Sequence, residues 1–137
     1  MTDIIIIGGG ASGCFAGVQA SRFGKSVLLF EKNEKLGRKL RITGKGRCNV
    51  TNNSDIQEHM KNIPTNPRFM YSAFSVFDAY NTMDFFEEIG VPLKTERGNR
   101  VFPVSDNAND IADSMVKEMK KSGVKIINKR VTKLIIE

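Results

Sequence analysis

Asp3-Ile4-Ile5-Ile6-Ile7-Gly8-Gly9-Gly10-Ala11-Ser12-Gly13 is the stretch that decides the fold. Its run of isoleucines reads as a short buried strand that stops at Gly8. A helical pattern follows from Ala11 to Phe23, with Gly24 placed to close it. Within it Gly13, Ala16, Gly17 and Ala20 recur at helical spacing and leave a face without bulk, able to lie close against a sheet. Ser26 to Phe30 is a second apolar strand. A helical connection between the two makes them parallel, with a right-handed crossover.

The residues Gly8 to Gly13 spell GxGxxG, a weak pattern alone that gains meaning between a strand and a helix. Gly8 allows the tight turn. Gly10 lets backbone approach a pyrophosphate, and Gly13 lets the helix pack on the strand. Ala11 and Ser12 open the helix, whose unpaired N–H groups and positive dipole end face the phosphates. Glu31, at the end of the second strand, can accept hydrogen bonds from both hydroxyls of an adenosine ribose and would repel a 2′-phosphate, which argues against NADP here. Lys32 follows it. The bland alternative is a strand-helix turn with a surface glutamate, but glycines, helix start and acid agree against it. FAD and NAD share this fingerprint. The segment Glu31-Lys32-Asn33-Glu34-Lys35-Leu36-Gly37-Arg38-Lys39 favours FAD, since a glycine and a basic residue shortly after the acid are common in FAD domains of the glutathione-reductase type.

Glu31 to Asn53 has no clear period and reads as a long ordered loop with a short helix at its start. Loops of this length inside domains are usually functional or disordered, and Arg38, Lys39, Arg41, Lys45 and Arg47 cluster here. Pro67 to Val76 reads as helical. Asn81 is expected to cap a helix that ends at Gly90. Strands around Leu93 to Glu96 and Arg100 to Phe102, joined through Gly98-Asn99, suggest a hairpin. Asn107 caps a helix to Ser122 that buries Ile111, Ala112, Met115, Val116 and Met119. Val124 to Asn128 is expected as the third parallel strand, and Val131 to Glu137 as a further strand.

The 137 residues suffice for one domain with a core, and 40% apolar with 26% charged residues is ordinary for a soluble globular chain. Ile4 to Ile7 is far too short to cross a bilayer and has no basic segment before it, so neither a membrane span nor a signal peptide is expected, and the cytoplasm is the expected location. Cys14 and Cys48 have no metal-ligand spacing and are read as free thiols, Cys14 buried and Cys48 exposed. The formal charge of +6 favours anionic ligands in general. His59 reads as a surface residue, Tyr71 and Tyr80 as core. No paired carboxylates or nucleophile triad appear, and no catalytic acid or base is assigned.

The run Gly37-Arg38-Lys39-Leu40-Arg41-Ile42-Thr43-Gly44-Lys45-Gly46-Arg47-Cys48-Asn49-Val50-Thr51-Asn52 resembles the signature of the BaiN/YhiN-like bacterial flavoproteins, NAD(P)/FAD-dependent oxidoreductases also described as aminoacetone oxidases. Tyr71 to Ser75, Phe85 to Val91 and Arg100 to Asp106 are similar to later family segments. Thr43 and Lys45 stand where members often have serine and glycine.

The resemblance implies an α/β, Rossmann-like FAD-binding domain with a three-stranded parallel core, flanking helices and a small hairpin. Residues 1–137 would be its N-terminal portion, with the inserted substrate domain and the C-terminal FAD segment absent. It implies FAD contacts from Ser12, Glu31, Arg38, Lys39, Thr43 and Asn49, and a backbone contact to adenine at Val131. Gly44 and Arg47 belong to the same candidate loop, Arg47 as a charge near the flavin. The resemblance implies NAD(P)H or oxygen as the redox partner and a small organic molecule with a carbon–carbon double bond or an amine as the substrate, with no nucleic acid or membrane partner. Two alternatives stay open: an RNA-binding module on a Rossmann scaffold, gripping through the basic loop, and an inactive fragment.

Overall fold

The computed structural model describes residues 1–135. Strand β1 (Ile4–Ile7) leads through helix α1 (Ala11–Arg22) to β2 (Val27–Glu31). After the long loop come β3 (Thr51–Asn52), α2 (Ile56–Lys61), α3 (Tyr71–Val76), α4 (Ala79–Glu88), β4 (Leu93–Glu96), β5 (Arg100–Pro103), α5 (Ala108–Lys121) and β6 (Lys125–Asn128). The parallel sheet has the order β1-β2-β6, with Ile4 opposite Val27 and Glu31 opposite Asn128.

The crossovers explain the shape of the core. Strands added in one direction with right-handed connections place their helices on the same face. Accordingly α1 and α5 pack together over Ile4, Ile6, Val27, Leu29 and Ile126. Met119 and Val18 are fully buried between them. The opposite face carries Ile5 and Ile7, which are 60% and 53% exposed. The first strand, expected to be buried on both faces, is thus buried on one, because no helix among the described residues covers the other.

Gly13 sets how closely α1 lies on β1. A Cβ there would stand 2.0 Å from the Gly8 carbonyl oxygen. Gly24 closes the helix with a left-handed φ of 75°, as expected. On the far side, α4 docks against α1 through aromatic rings: Phe15 meets Phe85 edge-on at 5.1 Å and Phe77 at 4.7 Å. The cap of α4 differs from the expectation. Asp78, not Asn81, is the N-cap, and the two side chains complete a reciprocal capping box at 2.9 and 3.0 Å. Asn107 caps α5 as read, accepting from the Asn109 N–H.

The hairpin belongs to a larger unit. β4 and β5 pair antiparallel, and β3 adds to the other edge of β5 with Thr51 opposite Val101. The polar end of the long loop is therefore a strand, hidden from pattern reading because it is two residues long. The short helical turns of that loop fall within Leu40–Gly46, broken by a kink at Thr43, Gly44 and Lys45, and come later than expected. Helix α2, capped by Asp55 on the Glu58 N–H, was not foreseen. Tyr71 and Tyr80, read as core, are 60% and 47% exposed. Residues 129–135 form no strand, since no neighbouring strand among the described residues offers them a ladder, and the remainder of that expected strand, Ile136 and Glu137, lies outside the described residues.

Gly13→Ala forces the new methyl against backbone rather than a movable side chain. It is expected to lower stability by about 3 kcal/mol, read as a shifted urea midpoint. An unchanged midpoint would show that the helix-strand spacing is looser than described.

Candidate functional site

The site is a crevice of about 490 Å³ at the carboxyl ends of β1 and β2, lined by Gly9, Gly10, Glu31, Asn33, Lys35, Arg38, Lys39 and Ile42. Ligands of open α/β sheets bind at this position. Each fingerprint glycine has its own reason. Gly8 holds a φ of 106°, which side chains resist. Gly13 is needed for packing. Gly10 is different: a Cβ there would meet nothing within 4 Å of protein. Nothing inside the chain requires its bareness, so the space is left for something outside the chain. Gly10 is also the N-cap of α1, with no side chain satisfying the first-turn N–H groups, a terminus able to take an anion.

Glu31 faces this crevice and is only 8% exposed. Its Oε2 accepts the Gly9 N–H at 2.7 Å; its Oε1 accepts the Asn33 N–H at 2.7 Å and the Asn33 side-chain amide at 2.6 Å. Burial works against the charge, but the N–H groups of Asn33 and Gly9 outweigh it and hold the carboxyl below its ordinary pKa. Gly9 also accepts from the Gly37 N–H at 2.8 Å and from the Cys14 thiol at 3.4 Å. A Cβ on Gly9 would come within 2.9 Å of Leu36. Gly9, Asn33 and Lys35 are site residues the sequence reading missed. The middle of three adjacent glycines was the available signal for Gly9.

The basic loop divides in two. Arg38 and Lys39 are exposed in the crevice wall and form no ion pair among the described residues. Arg41 is instead a fastener: it donates to the Leu36 carbonyl at 3.0 Å, Asn109 at 2.8 Å and Asp113 at 2.7 Å, tying the loop to α5. Arg47 bonds Glu96 and Asp106 and stacks over Phe102 at 4.1 Å. Its charge is matched by carboxylates of the antiparallel unit, and it does not line the crevice.

Thr43 donates its hydroxyl to the Leu40 carbonyl at 2.8 Å. Gly44 has a φ of 56°, and a Cβ there would stand 2.9 Å from the Asn49 nitrogen. Lys45 has a φ of 57°, a conformation that suits glycine and carries a cost for lysine. With its side-chain amide turned over, Asn49 donates to the Val101 and Thr51 carbonyls at 3.1 and 3.0 Å, the orientation that satisfies both of its polar atoms. Thr43, Gly44 and Asn49 thus shape the loop.

Ala11, Ser12 and Asn49 also line an adjoining cavity of about 290 Å³, mostly apolar, between α1, α4 and α5. Cys48 lies on its wall, buried rather than exposed. Burial pushes its thiol up, with the Thr43 hydroxyl acting in the other direction. Burial, with the Glu31 charge adding, pushes the Cys14 thiol up to about 11. Both cysteines are free.

Beyond Glu31 the crevice continues into a pocket of about 280 Å³ lined by Gly8, Glu31, Lys32, Asn33 and Lys129 to Val131. The structure therefore brings Gly8, Gly10, Glu31, Lys32, Arg38, Lys39 and Val131 to one groove, and sets Arg47 apart. Among the described residues no group of His, Cys, Asp and Glu could hold a metal, and no helix is long and apolar enough to cross a membrane.

Uncapped helix amides, a buried acid and two cations without ion pairs among the described residues line one groove, an arrangement that suits a dinucleotide, and the fold is that of a Rossmann-like FAD-binding domain. The chain belongs to the HI0933-like family: the family's Rossmann-domain model matches residues 2–137. It is 34% identical over 128 residues to the 3-dehydro-bile acid delta(4,6)-reductase of Clostridium scindens, covering 92% of this chain and 31% of that protein. It is 35% identical over 122 residues to the ribosomal RNA dihydrouridine synthase of Escherichia coli, covering 89% of this chain and 30% of that one. The chain thus spans about a third of the length of these curated relatives. Among solved structures, the 3-ketosteroid-delta4-(5alpha)-dehydrogenase of Rhodococcus jostii superposes with a TM-score of 0.63 at 15% identity, over 91% of this chain and 37% of that one, a likeness of fold.

Because Glu31 titrates lower in the folded chain than in the unfolded one, its stabilisation is fully present above the unfolded pKa and is lost as pH falls through the folded pKa. Asp3, Glu96, Asp106 and Glu118 are held down too, so the difference between wild type and Glu31→Gln isolates the one group. Urea midpoints measured across the acid range are expected to fall more steeply for wild type. Parallel curves would show that the Glu31 carboxylate gains nothing from its partners.

Proposed function

We propose that this chain is the FAD-holding part of a flavin-dependent oxidoreductase that saturates a carbon–carbon double bond conjugated to a carbonyl, with NAD(P)H as reductant. The observation that carries the reading is Gly10, whose missing side chain serves no packing among the described residues and which shares one crevice with Glu31, Arg38 and Lys39. In this arrangement the first-turn amides of α1 and the two cations hold the pyrophosphate, and Glu31 grips the ribose. The pocket reaching Val131 takes the adenine. Ser12 and Asn49, on the wall of the apolar cavity, face the flavin half of the molecule. FAD, when bound, supplies the two-electron chemistry. Overall, NAD(P)H is oxidised and the alkene gains a hydride and a proton.

The substrate class is drawn from the relatives. Reducing a delta(4,6) 3-dehydro-bile acid and converting uridine to dihydrouridine both saturate an alkene conjugated to a carbonyl. A small enone is the first reading. A uracil ring in RNA is the second, favoured by two relatives named as ribosomal RNA dihydrouridine synthases and by the charge of +6. Two buried free thiols fit a reducing compartment, and we assign the protein to the cytoplasm.

The full-length protein is expected to purify yellow, and Gly10→Val to abolish the colour while the protein stays folded. A folded wild-type protein that takes up no added FAD would overturn the reading. NAD(P)H oxidation with a panel of 3-oxo-4-ene steroids tests the small-molecule substrate. Loss of dihydrouridine from ribosomal RNA in a strain lacking the gene would select the nucleobase instead.

A further inference from the structure

We infer that Asn128 is a positioning residue that sets the width of the adenosine end of the site, an inference that rests on the FAD-binding reading above. Asn128 is the last residue of β6 and stands opposite Glu31 at the final rung of the parallel ladder. Immediately after it the chain turns, with the Lys129 N–H on the Ile127 carbonyl at 3.0 Å. Lys129, Arg130 and Val131 then form one wall of the pocket whose other wall is Gly8, Glu31, Lys32 and Asn33. Asn128 itself does not line that pocket.

Its side chain joins the two walls from behind. The amide nitrogen donates to the Glu31 carbonyl at 3.1 Å and to the Asn33 carbonyl at 2.6 Å. A terminal amide has two N–H donors, and both are used on one turn. That turn also presents the Asn33 N–H and side-chain amide to the Glu31 carboxylate. Asn128 therefore fixes the backbone on both sides of the group that holds the ribose acid, and fixes it relative to the 129–131 segment. Glu31 and Asn33 lie 97 and 95 positions before Asn128 in sequence, so no local turn could hold the same gap. An aspartate has the same shape but only acceptors, and would face two carbonyl oxygens with no hydrogen to give.

The test is equilibrium binding to the apo full-length protein of three probes: FAD, ADP and inorganic pyrophosphate. Asn128→Asp is expected to weaken FAD and ADP together, by about tenfold for the loss of two hydrogen bonds that order the turn. Pyrophosphate, which meets only the helix amides and the cations, should keep its affinity. Asn128→Ser, which retains one small donor, should fall between wild type and Asn128→Asp and guards against a variant that fails to fold. Equal losses for all three probes, or unchanged FAD and ADP binding in both variants, would overturn the positioning role while leaving the FAD reading intact. Failure of the wild-type protein to bind either FAD or ADP would overturn both.

Discussion

The hydrogen bond from the Gly9 N–H to the Glu31 carboxylate is the constraint around which the rest is arranged. A carboxylate this far out of water needs partners to remain charged. Glu31 takes them from the backbone of the phosphate loop and from its own following turn. Gly9 then passes the tie onward through its carbonyl to Gly37, at the foot of the basic loop. One residue thereby links the first turn of α1, the buried acid and the loop that carries Arg38 and Lys39. The close approach of Leu36 and Glu31 to Gly9 explains why this position, like its two neighbours, has no side chain.

Charge in the basic loop does two kinds of work, and composition alone does not separate them. Arg41 and Arg47 face the protein, one on α5 and the other on the antiparallel sheet, each with carboxylate partners. Exposed pairs of this kind contribute little individually to stability. Their value here is geometric, since they hold the two flanks of a loop in which Gly44, Lys45, Gly46 and Cys48 all adopt left-handed backbone. Arg38 and Lys39 line the crevice and, among the described residues, keep their charge free of ion pairs.

How much of this was legible in the sequence follows from the range of each interaction. The β1-α1-β2 unit was readable because its signals are local: an isoleucine run, spaced small residues, and glycines whose roles depend on adjacent backbone. The hairpin turn and the Asn107 cap were readable for the same reason. The N-cap of α4 was misplaced because Asp78 and Asn81 are both good capping residues three apart, and in a capping box either can be taken for the cap. Strand β3 exists only through its pairing with β5, and pattern cannot reveal a two-residue strand. Of the site, Gly8, Gly10, Gly13 and Glu31 announced themselves by spacing. Asn33 and Asn128 did not, because an asparagine that bonds a distant carbonyl looks in sequence like any turn residue. Arg47 resembled Arg38 until its partners, Glu96 and Asp106, came into view.

The separations of those partners also govern timing. Glu31 and Gly9 are 22 residues apart, Arg41 and Asp113 are 72 apart, and Glu31 and Asn128 are 97 apart. Non-local contacts form only after the intervening chain has been ordered. A nascent polypeptide emerging from the ribosome therefore has the Gly9–Glu31 tie within reach early, whereas the Asn128 tie to the Glu31 turn waits until the third parallel strand has been synthesised.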